Sequence, residues 1–255
     1  ISAEHDLAQE VKSFIKNYGP SLCVDIHNNT GKNPVYTCIT KNQMKIEIWS
    51  DIACPFCYIG KRKLEKAIQR LPDSEGIVLE WKSFQLNPTL QTDPNQNTLI
   101  HLAETKGWTM EQTLQMTAQV TAMGKEEGLN FNFEKTAVAN TKRSHRLLHL
   151  AKEHNCQNEL KEQLFKVYFE EGKNIDDLET LLQCAEHAGI PQAEAKKVLD
   201  THGFEEEIDQ DVYESRLIGV QGVPFFVFDR KYGISGAQPD EVFDRTLQQA
   251  LDEVK

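Results

Sequence analysis

The sequence has few cysteines and no long apolar run. Six cysteines in 255 residues are too few to build a disulfide-rich scaffold, so any sulfur chemistry must come from particular cysteines. No stretch of about 18 apolar residues could span a bilayer, and the first twenty residues lack the order of a secretory signal. We therefore expect a cytoplasmic protein without a membrane partner.

Positive charge and nucleotide-binding motifs are also scarce. The 28 basic side chains are outnumbered by 39 acidic ones, and no basic patch stands out, so we expect no nucleic-acid partner. The absence of a P-loop, a G-x-G-x-x-G motif and a G-x-S-x-G motif argues against nucleotide enzymes and α/β-hydrolases. A hydrophobic content of 39% is that of an ordinary globular protein.

Residues 1–43 differ in composition from the rest and form a separate predicted extension. The apolar spacing over residues 7–18 predicts an amphipathic helix, and two alternating stretches around Thr30 predict a hairpin. This hairpin would place Cys23 opposite Cys38, so a disulfide or two half-buried thiols are both open. Because about forty residues rarely fold alone, this α-β-β unit must dock on the remaining chain or be an added extension.

From Met44 onward the pattern alternates strands and helices. A short strand leads into a C-x-x-C motif at residues 54–57, followed by a helix, a second strand and roughly a hundred residues of helical pattern. Strand patterning returns at residues 225–228 and 234–236, before a last helix that opens at Pro239. The order predicts an α/β fold with a helical subdomain inserted between β-α-β and β-β-α halves. The predicted boundaries are 44–92 for the first half, 93–202 for the insertion and 203–255 for the second half.

The C-x-x-C motif carries the clearest chemical signal. The other cysteines stand singly, so a structural zinc site is disfavoured, and the position between a strand and a helix indicates a thioredoxin-like redox site. Pro55 suits the first helical position, which makes Cys54 the N-cap, where the helix dipole stabilises a thiolate. Cys54 is therefore the predicted nucleophile, and Cys57, on the buried stripe, is the predicted resolving thiol. The basic run at residues 61–63 is expected to be a solvated helix face.

A second informative segment, Gly222-Val223-Pro224, stands directly before the late apolar strand. A trans proline at the first residue of a strand is its ordinary interpretation. A C-x-x-C at a helix start with a late Val-Pro before a β-β-α unit resembles the thioredoxin fold, and the long helical insertion resembles its DsbA family, FrnE-like branch. The motifs that match this branch are Phe84-Gln85-Leu86-Asn87-Pro88, Asn140-Thr141 with His145-Arg146-Leu147, Tyr168-Phe169-Glu170-Glu171-Gly172, Gly222-Val223-Pro224-Phe225-Phe226-Val227-Phe228 and Ser235-Gly236-Ala237-Gln238-Pro239.

The resemblance implies roles for residues around the cysteines. Pro224 would be cis and pack against Cys54, and Val223 would offer its backbone to a bound peptide or glutathione. Phe56 would also contact substrate. It stands where the branch usually has tryptophan and DsbA has histidine, so strong oxidising character is not expected. Three further residues would line a cleft, with helix capping as the alternative for the last two: Asn87, Asn140 and Thr141.

Other polar and sulfur-bearing residues have simpler interpretations. His145, His149 and Glu153 are spaced four apart on a predicted helix and could face one metal. The segment lacks the glutamate of a zinc protease, so we expect partly buried polar roles and no metal site. Cys156 and Cys184 occupy helical positions and are expected to act as small core residues.

Together these features predict a thiol–disulfide oxidoreductase or disulfide isomerase acting on protein or small-molecule disulfides. Its partner would be a disulfide- or dithiol-containing protein or a small thiol, with no bound cofactor and glutathione as a redox co-substrate. One alternative is a glutathione-dependent isomerase or transferase resembling 2-hydroxychromene-2-carboxylate isomerase and the kappa class. Those proteins typically have serine at the first cysteine position and no second cysteine. Another alternative is a non-enzymatic polypeptide-binding module.

Overall fold

The hairpin near the start of the chain has the predicted register. The structure is a computed structural model that describes residues 23–26, 35–38 and 43–254. Strands β1 (Cys23–Ile26) and β2 (Val35–Cys38) pair antiparallel with Cys23 opposite Cys38. The helix predicted for residues 7–18 lies outside the described residues, and because the side chains of Cys23 and Cys38 are not described, the choice between a disulfide and two thiols stays open.

Four strands form the central sheet. They are β3 (Met44–Ser50), β4 (Ile77–Ser83), β7 (Phe225–Phe228) and β8 (Tyr232–Ser235), in the order β4-β3-β7-β8. β3 and β4 run parallel because a helix carries the chain back between them, whereas a tight turn makes β7 and β8 antiparallel. β7 also pairs antiparallel with β3. β3 is buried at six of its seven positions, as expected for a central strand covered on both faces.

Two helices cover this sheet and share its core. They are α1 (Pro55–Gln69), between β3 and β4, and α9 (Asp240–Val254), which begins directly after Pro239. Their apolar positions recur at helical spacing, so one face of each is buried: Leu64 packs with Phe243 and Leu247 in the cluster that contains the sheet residues. The predicted β-α-β and β-β-α halves therefore close into one sheet.

The segment between the halves is mainly helical, as predicted. Its helices are α2 (Thr98–Lys106), α3 (Met110–Glu126), α4 (Lys142–Glu153), α5 (Gln157–Phe169), α6 (Leu178–His187) and α7 (Gln192–Asp200), and α8 (Glu205–Leu217) follows and packs against β4. A short antiparallel pair, β5 (Asp93–Asn97) with β6 (Ala137–Val138), was not predicted because neither segment alternates apolar and polar residues. None of the helices in residues 43–254 has the length and apolar composition needed to cross a bilayer.

The helical block has its own buried core, and α1 joins it to the sheet core. The first turn of α1 contributes Cys54, Cys57 and Tyr58 to the cluster of the helical block, whereas Leu64 and Ala67 belong to the sheet cluster. The C-x-x-C motif therefore lies where the two cores meet. The domain boundaries at 92/93 and 202/203 stay predictions.

Candidate functional site

The C-x-x-C motif occupies the start of α1. Cys54 is the N-cap with extended backbone angles (φ −98°, ψ 110°), and Pro55 begins the helix. The Cys54 N–H donates to Asp51 O at 3.3 Å, which turns the chain from β3 into the helix. No side chain caps this helix, so its first N–H groups and the positive end of its dipole lie beside Cys54.

The segment before β7 lies against Cys54. The Val223–Pro224 peptide bond is cis, which confirms what the resemblance implied. The Cys54 thiol donates to Val223 O at 3.5 Å, and the Gly236 N–H donates to Pro224 O at 2.8 Å, which ties the segment to the end of β8. The fold therefore brings Cys54 and the Val-Pro segment together from positions 169 residues apart.

Gly60 allows α1 to approach this segment closely. A Cβ atom on Gly60 would lie 2.9 Å from Phe226 Cζ and 3.1 Å from Pro224 Cγ. These distances are shorter than ordinary carbon–carbon contacts, which lie near 3.5–4.0 Å. The absence of a side chain at Gly60 thus sets the position of Pro224 relative to the motif.

The two cysteines are buried beside an exposed apolar surface. Cys54 is 4% exposed and Cys57 is 1% exposed. Phe56, between them, is 38% exposed, and Leu86 in the loop after β4 is 54% exposed. Exposed apolar side chains thus stand next to the cysteines in the chain, at Phe56, and on the loop that binds Asp51, at Leu86.

The two thiols are hydrogen-bonded to each other. The hydrogen bond with Cys57, reinforced by burial, raises the pKa of Cys54 well above its ordinary value. Burial also opposes ionisation of Cys57, but the hydrogen bond from Cys54 and the positive charge of Lys161 outweigh it and lower the pKa of Cys57. Val223 O is an acceptor and so favours the protonated form of Cys54. The resting thiolate on Cys54 stays a prediction, since the helix N-terminus favours the charge on this sulfur while burial and the acceptor at Val223 oppose it.

A buried carboxylate–imidazole pair lies behind the motif. Asp51 Oδ1 is 3.3 Å from His145 Nε2, and Asp51 Oδ2 accepts a hydrogen bond from Leu86 N at 2.7 Å. Burial favours the protonated carboxyl, but the contacts with His145, Leu86 and Thr141 outweigh it and lower the pKa of Asp51. Burial lowers the pKa of His145. Asp51 thus fixes the loop that carries the exposed Leu86.

The three predicted cleft residues have different environments. Thr141 is buried and its side chain contacts the Asp51 carboxylate. Asn140 binds the loop after β4, since its Nδ2 donates to Leu90 O at 2.8 Å. Asn87 is exposed, and its side-chain oxygen accepts from the backbone N–H two residues later at 3.2 Å. Of the three, Thr141 is the residue whose side chain contacts Asp51, which lies behind the motif.

The basic run on α1 is not a solvated face. Lys61 is 2% exposed, and its Nζ donates to Glu65 Oε1 at 2.5 Å and to Glu162 Oε2 at 2.8 Å. Arg62 also pairs with Glu162, and Lys63 pairs with Asp240 on α9. The expectation failed because the acids that neutralise these residues come largely from distant helices.

The two histidines spaced four apart on α4, His145 and His149, have separate partners. His149 Nε2 lies 3.1 Å from Ser83 Oγ and 3.3 Å from Asp211 Oδ2. Because serine and aspartate approach the same nitrogen, these residues do not form a relay from nucleophile to base to acid. His145 faces Asp51 instead, and within residues 43–254 no group of three or more His, Cys, Asp and Glu side chains could hold a metal ion.

Sequence reasoning missed Asp51, Gly60 and Lys161. Lys161 lies on the same helical face as Leu164 and Phe165, so a lysine at an apolar position was the available signal. Asp51 had a weaker signal, its place at the end of the strand before the motif. Nothing in the local sequence indicates the close approach at Gly60.

Comparison with known proteins identifies relatives of this chain. A family model described as the DSBA-like thioredoxin domain matches residues 45–248. The uncharacterized protein YwbO of Bacillus subtilis (strain 168) is 28% identical over 211 residues, which cover 79% of this chain and 94% of YwbO. The crystal structure of the probable DsbA oxidoreductase SCO1869 from Streptomyces coelicolor is 38% identical with a TM-score of 0.78, over 83% of this chain and 91% of that chain. The cytosolic disulfide reductase DsbM from Pseudomonas aeruginosa has the same fold, at 15% identity and a TM-score of 0.58 over 82% of this chain and 98% of that chain.

Proposed function

Because the chain belongs to the DSBA-like thioredoxin family, we propose that it is a thiol–disulfide oxidoreductase that uses Cys54 and Cys57 as its redox pair. Family membership supports an oxidoreductase or disulfide isomerase in general. The observation that carries the specific proposal is the Cys54 thiol at the N-cap of α1, in contact with Val223 O and hydrogen-bonded to Cys57.

In the reducing direction, Cys54 attacks a disulfide of the partner. Cys54 attacks as the thiolate, with the proton of the pair on Cys57, to which it is hydrogen-bonded. A bond forms between Cys54 and one partner sulfur while the partner S–S bond breaks. The released partner sulfur takes a proton from solvent.

Cys57 then resolves the mixed disulfide. After losing its proton, Cys57 attacks the Cys54 sulfur, forms the Cys54–Cys57 bridge and releases the second partner sulfur, which takes up that proton. The partner gains two electrons from the pair and two protons, one from solvent and one from Cys57. The reverse sequence oxidises a dithiol, and isomerisation needs only attack and departure of Cys54.

The surroundings of Cys54 favour an extended peptide or small thiol as partner. The exposed Phe56 and Leu86 offer apolar contact, and Val223 offers backbone beside the reacting sulfur. The chemistry needs no bound cofactor, and we propose glutathione as redox co-substrate. Cys156 and Cys184 are both free thiols, which fits our proposal of a cytoplasmic location.

The glutathione-dependent isomerase or transferase remains the alternative enzyme class. The retention of Cys57 in hydrogen-bonding contact with Cys54 favours disulfide exchange, because those isomerases need no resolving thiol. A polypeptide-binding module without redox activity would not need either sulfur.

Trapping the mixed disulfide tests the proposed function. Cys57→Ala should accumulate a covalent adduct between Cys54 and a disulfide-containing peptide, because the resolving step is removed, whereas Cys54→Ala should form none. Mass spectrometry of the unreduced protein identifies the attached residue, with Cys184→Ala as a control that loses a buried thiol away from the pair. An adduct on Cys57 in Cys54→Ala, or no adduct in Cys57→Ala, would contradict the proposal.

A further inference from the structure

Asp211 is a buried aspartate that joins α8 to the central sheet. It is 3% exposed, and its Oδ2 accepts a hydrogen bond from Ser83 N at 2.7 Å, while its Oδ1 accepts one from Lys82 Nζ at 2.9 Å. The backbone oxygen of Asp211 accepts a third hydrogen bond, from Trp49 Nε1 at 2.9 Å. One residue of α8 therefore binds both β3 and β4, near the ends at which these strands lead into the site.

The Asp211 carboxylate stays ionised although it is buried. Burial favours the protonated carboxyl, but hydrogen bonds from His149, Lys82 and the Ser83 N–H outweigh burial and lower the pKa of this carboxyl. Hydrogen bonds to a charged group are stronger than those between neutral groups. The carboxylate therefore gives α8 a strong and directional attachment to β4.

The end of α8 leads directly to the Val223 carbonyl. Gly219 ends the helix with a left-handed backbone (φ 77°), and Val220 N donates to Ser215 O at 2.8 Å, which ties the chain to the last turn. Only two residues separate Val220 from Val223, whose oxygen accepts from the Cys54 thiol at 3.5 Å. A shift of α8 would therefore move this carbonyl relative to the sulfur.

We propose that Asp211 is a positioning residue of the redox site: through α8 it holds the Val223 backbone where a bound peptide pairs with it beside Cys54. This proposal rests on the thiol–disulfide exchange proposed above. The sheet holds one end of the Val-Pro segment, since the Gly236 N–H donates to Pro224 O at 2.8 Å. Asp211 anchors the helix that leads into the other end.

The first test compares Asp211→Asn with Glu214→Gln in a Cys57→Ala background. Both variants remove one negative charge from α8, and both weaken a contact with Lys82, since Glu214 Oε2 lies 3.2 Å from its Nζ. Only Asp211→Asn places an amide donor against the Ser83 N–H or the Lys82 ammonium, which leaves a buried donor without its acceptor. Glu214→Gln is therefore the matched control.

The measured quantity is the rate of mixed-disulfide formation at Cys54 with two reagents. One is a disulfide-containing peptide, and the other is cystamine, a small disulfide without a peptide backbone. The ratio of the peptide rate constant to the cystamine rate constant should fall at least tenfold in Asp211→Asn, because only the peptide pairs with Val223. The ratio should stay within twofold in Glu214→Gln. A general loss of structure lowers both rate constants together and leaves their ratio unchanged.

A second variant and a second measurement address the anchor directly. Trp49→Phe removes the indole N–H that donates to the backbone of Asp211, and the ratio should fall at least threefold. Val223–Pro224 is the only Val-Pro pair in the sequence, so carbon-13 in valine carbonyls and nitrogen-15 in proline give one NMR signal for the Val223 carbonyl. This signal should shift in Asp211→Asn and Trp49→Phe and stay in place in Glu214→Gln.

The outcomes separate this proposal from the proposed function. An unchanged ratio or an unchanged Val223 signal in folded Asp211→Asn would overturn the role of Asp211, and Trp49→Phe decides it by the same two readouts if Asp211→Asn does not fold. If Cys54 forms no adduct with either reagent while Asp211 is present, the proposed function fails instead. The Val223 signal then still decides whether Asp211 positions this carbonyl.

Discussion

The two cysteines differ through their neighbours more than through their places in the motif. The helix N-terminus beside Cys54 favours its thiolate, whereas burial and the hydrogen bonds with Val223 O and Cys57 favour its thiol. Cys57 is the more deeply buried of the two, at 1% exposed against 4%, and the charge of Lys161 acts to lower its pKa. The position at the helix N-terminus and beside Val223 O thus selects Cys54 for attack, and the more deeply buried Cys57 is left as the resolving thiol.

His145 should make the stability of the protein depend on pH. Burial lowers its pKa below the ordinary value of 6.5, so as pH falls below 6.5 the unfolded chain binds a proton that the folded protein resists. Stability from this residue is fully present above pH 6.5 and is lost below it, at no more than about 1.4 kcal/mol per pH unit. Urea unfolding at several pH values should show a shallower loss in His145→Gln than in wild type.

The matched control for this titration is His187→Gln, which replaces an exposed histidine on α6. It should keep the wild-type slope. The same slope in His145→Gln and wild type would contradict the role assigned to His145.

The burial of the C-x-x-C residues could be predicted from the sequence, but the groups that surround the two thiols in the fold could not. Spacing predicted the burial of Cys57 because seven residues separate it from Leu64 on the same helical face. Spacing could not predict which groups act on the two thiols, since Val223 and Lys161 approach the pair only after folding.

Helix α1 is the element on which the site depends. Its first turn belongs to the core of the helical block, its later turns belong to the core of the sheet, and Glu162 on α5 binds Tyr58 and Arg62 on its side. The Tyr58 hydroxyl donates to Glu162 Oε1 at 2.6 Å. A shift of α1 would therefore move both cysteines relative to Val223.

Gly60→Ala tests the contact between α1 and the cis-proline segment. The new Cβ would meet the Phe226 ring and Pro224, so overpacking should lower the unfolding free energy by about 1–3 kcal/mol. The displacement of Pro224 should also slow the reaction of Cys54 with a disulfide reagent. Chemical unfolding and the rate of the thiol reaction measure the two effects.

Gly203→Ala is the control, because its Cβ would be at least 3.7 Å from its neighbours. It should leave both quantities close to wild type. An unchanged stability and thiol rate in Gly60→Ala would show that α1 does not set the position of this segment.

The elements of this chain were predictable where apolar spacing is regular. The helix at Gln157–Phe169 and the capping box of Thr109 with Gln112 are examples, since both depend on local spacing. The β5–β6 pair was missed because Asp93–Asn97 is polar and its partner strand begins 40 residues after it ends, at Ala137.

In the whole molecule, the C-x-x-C motif lies where the core of the sheet meets the core of the helical block. The order of strands and helices predicted the sheet with its inserted helical block, because sequential patterning constrains a β-α-β unit strongly. It did not predict how the block meets the sheet, which depends on pairs such as Asp51 with His145, 94 residues apart. Those contacts bring α4 and α5 behind the cysteines.

The central claim is that Cys54 and Cys57 exchange between a dithiol and a disulfide. Equilibration in graded mixtures of reduced and oxidised glutathione, alkylation of free thiols and peptide mapping by mass spectrometry measure this directly. We expect a reversible Cys54–Cys57 bridge, with Cys156 and Cys184 free throughout. A potential near about −270 mV would indicate a reductase, and one near about −120 to −180 mV an oxidase or isomerase. A pair that never bridges, with Cys54 free or bound to glutathione, would contradict the account and favour the glutathione-dependent isomerase or transferase class.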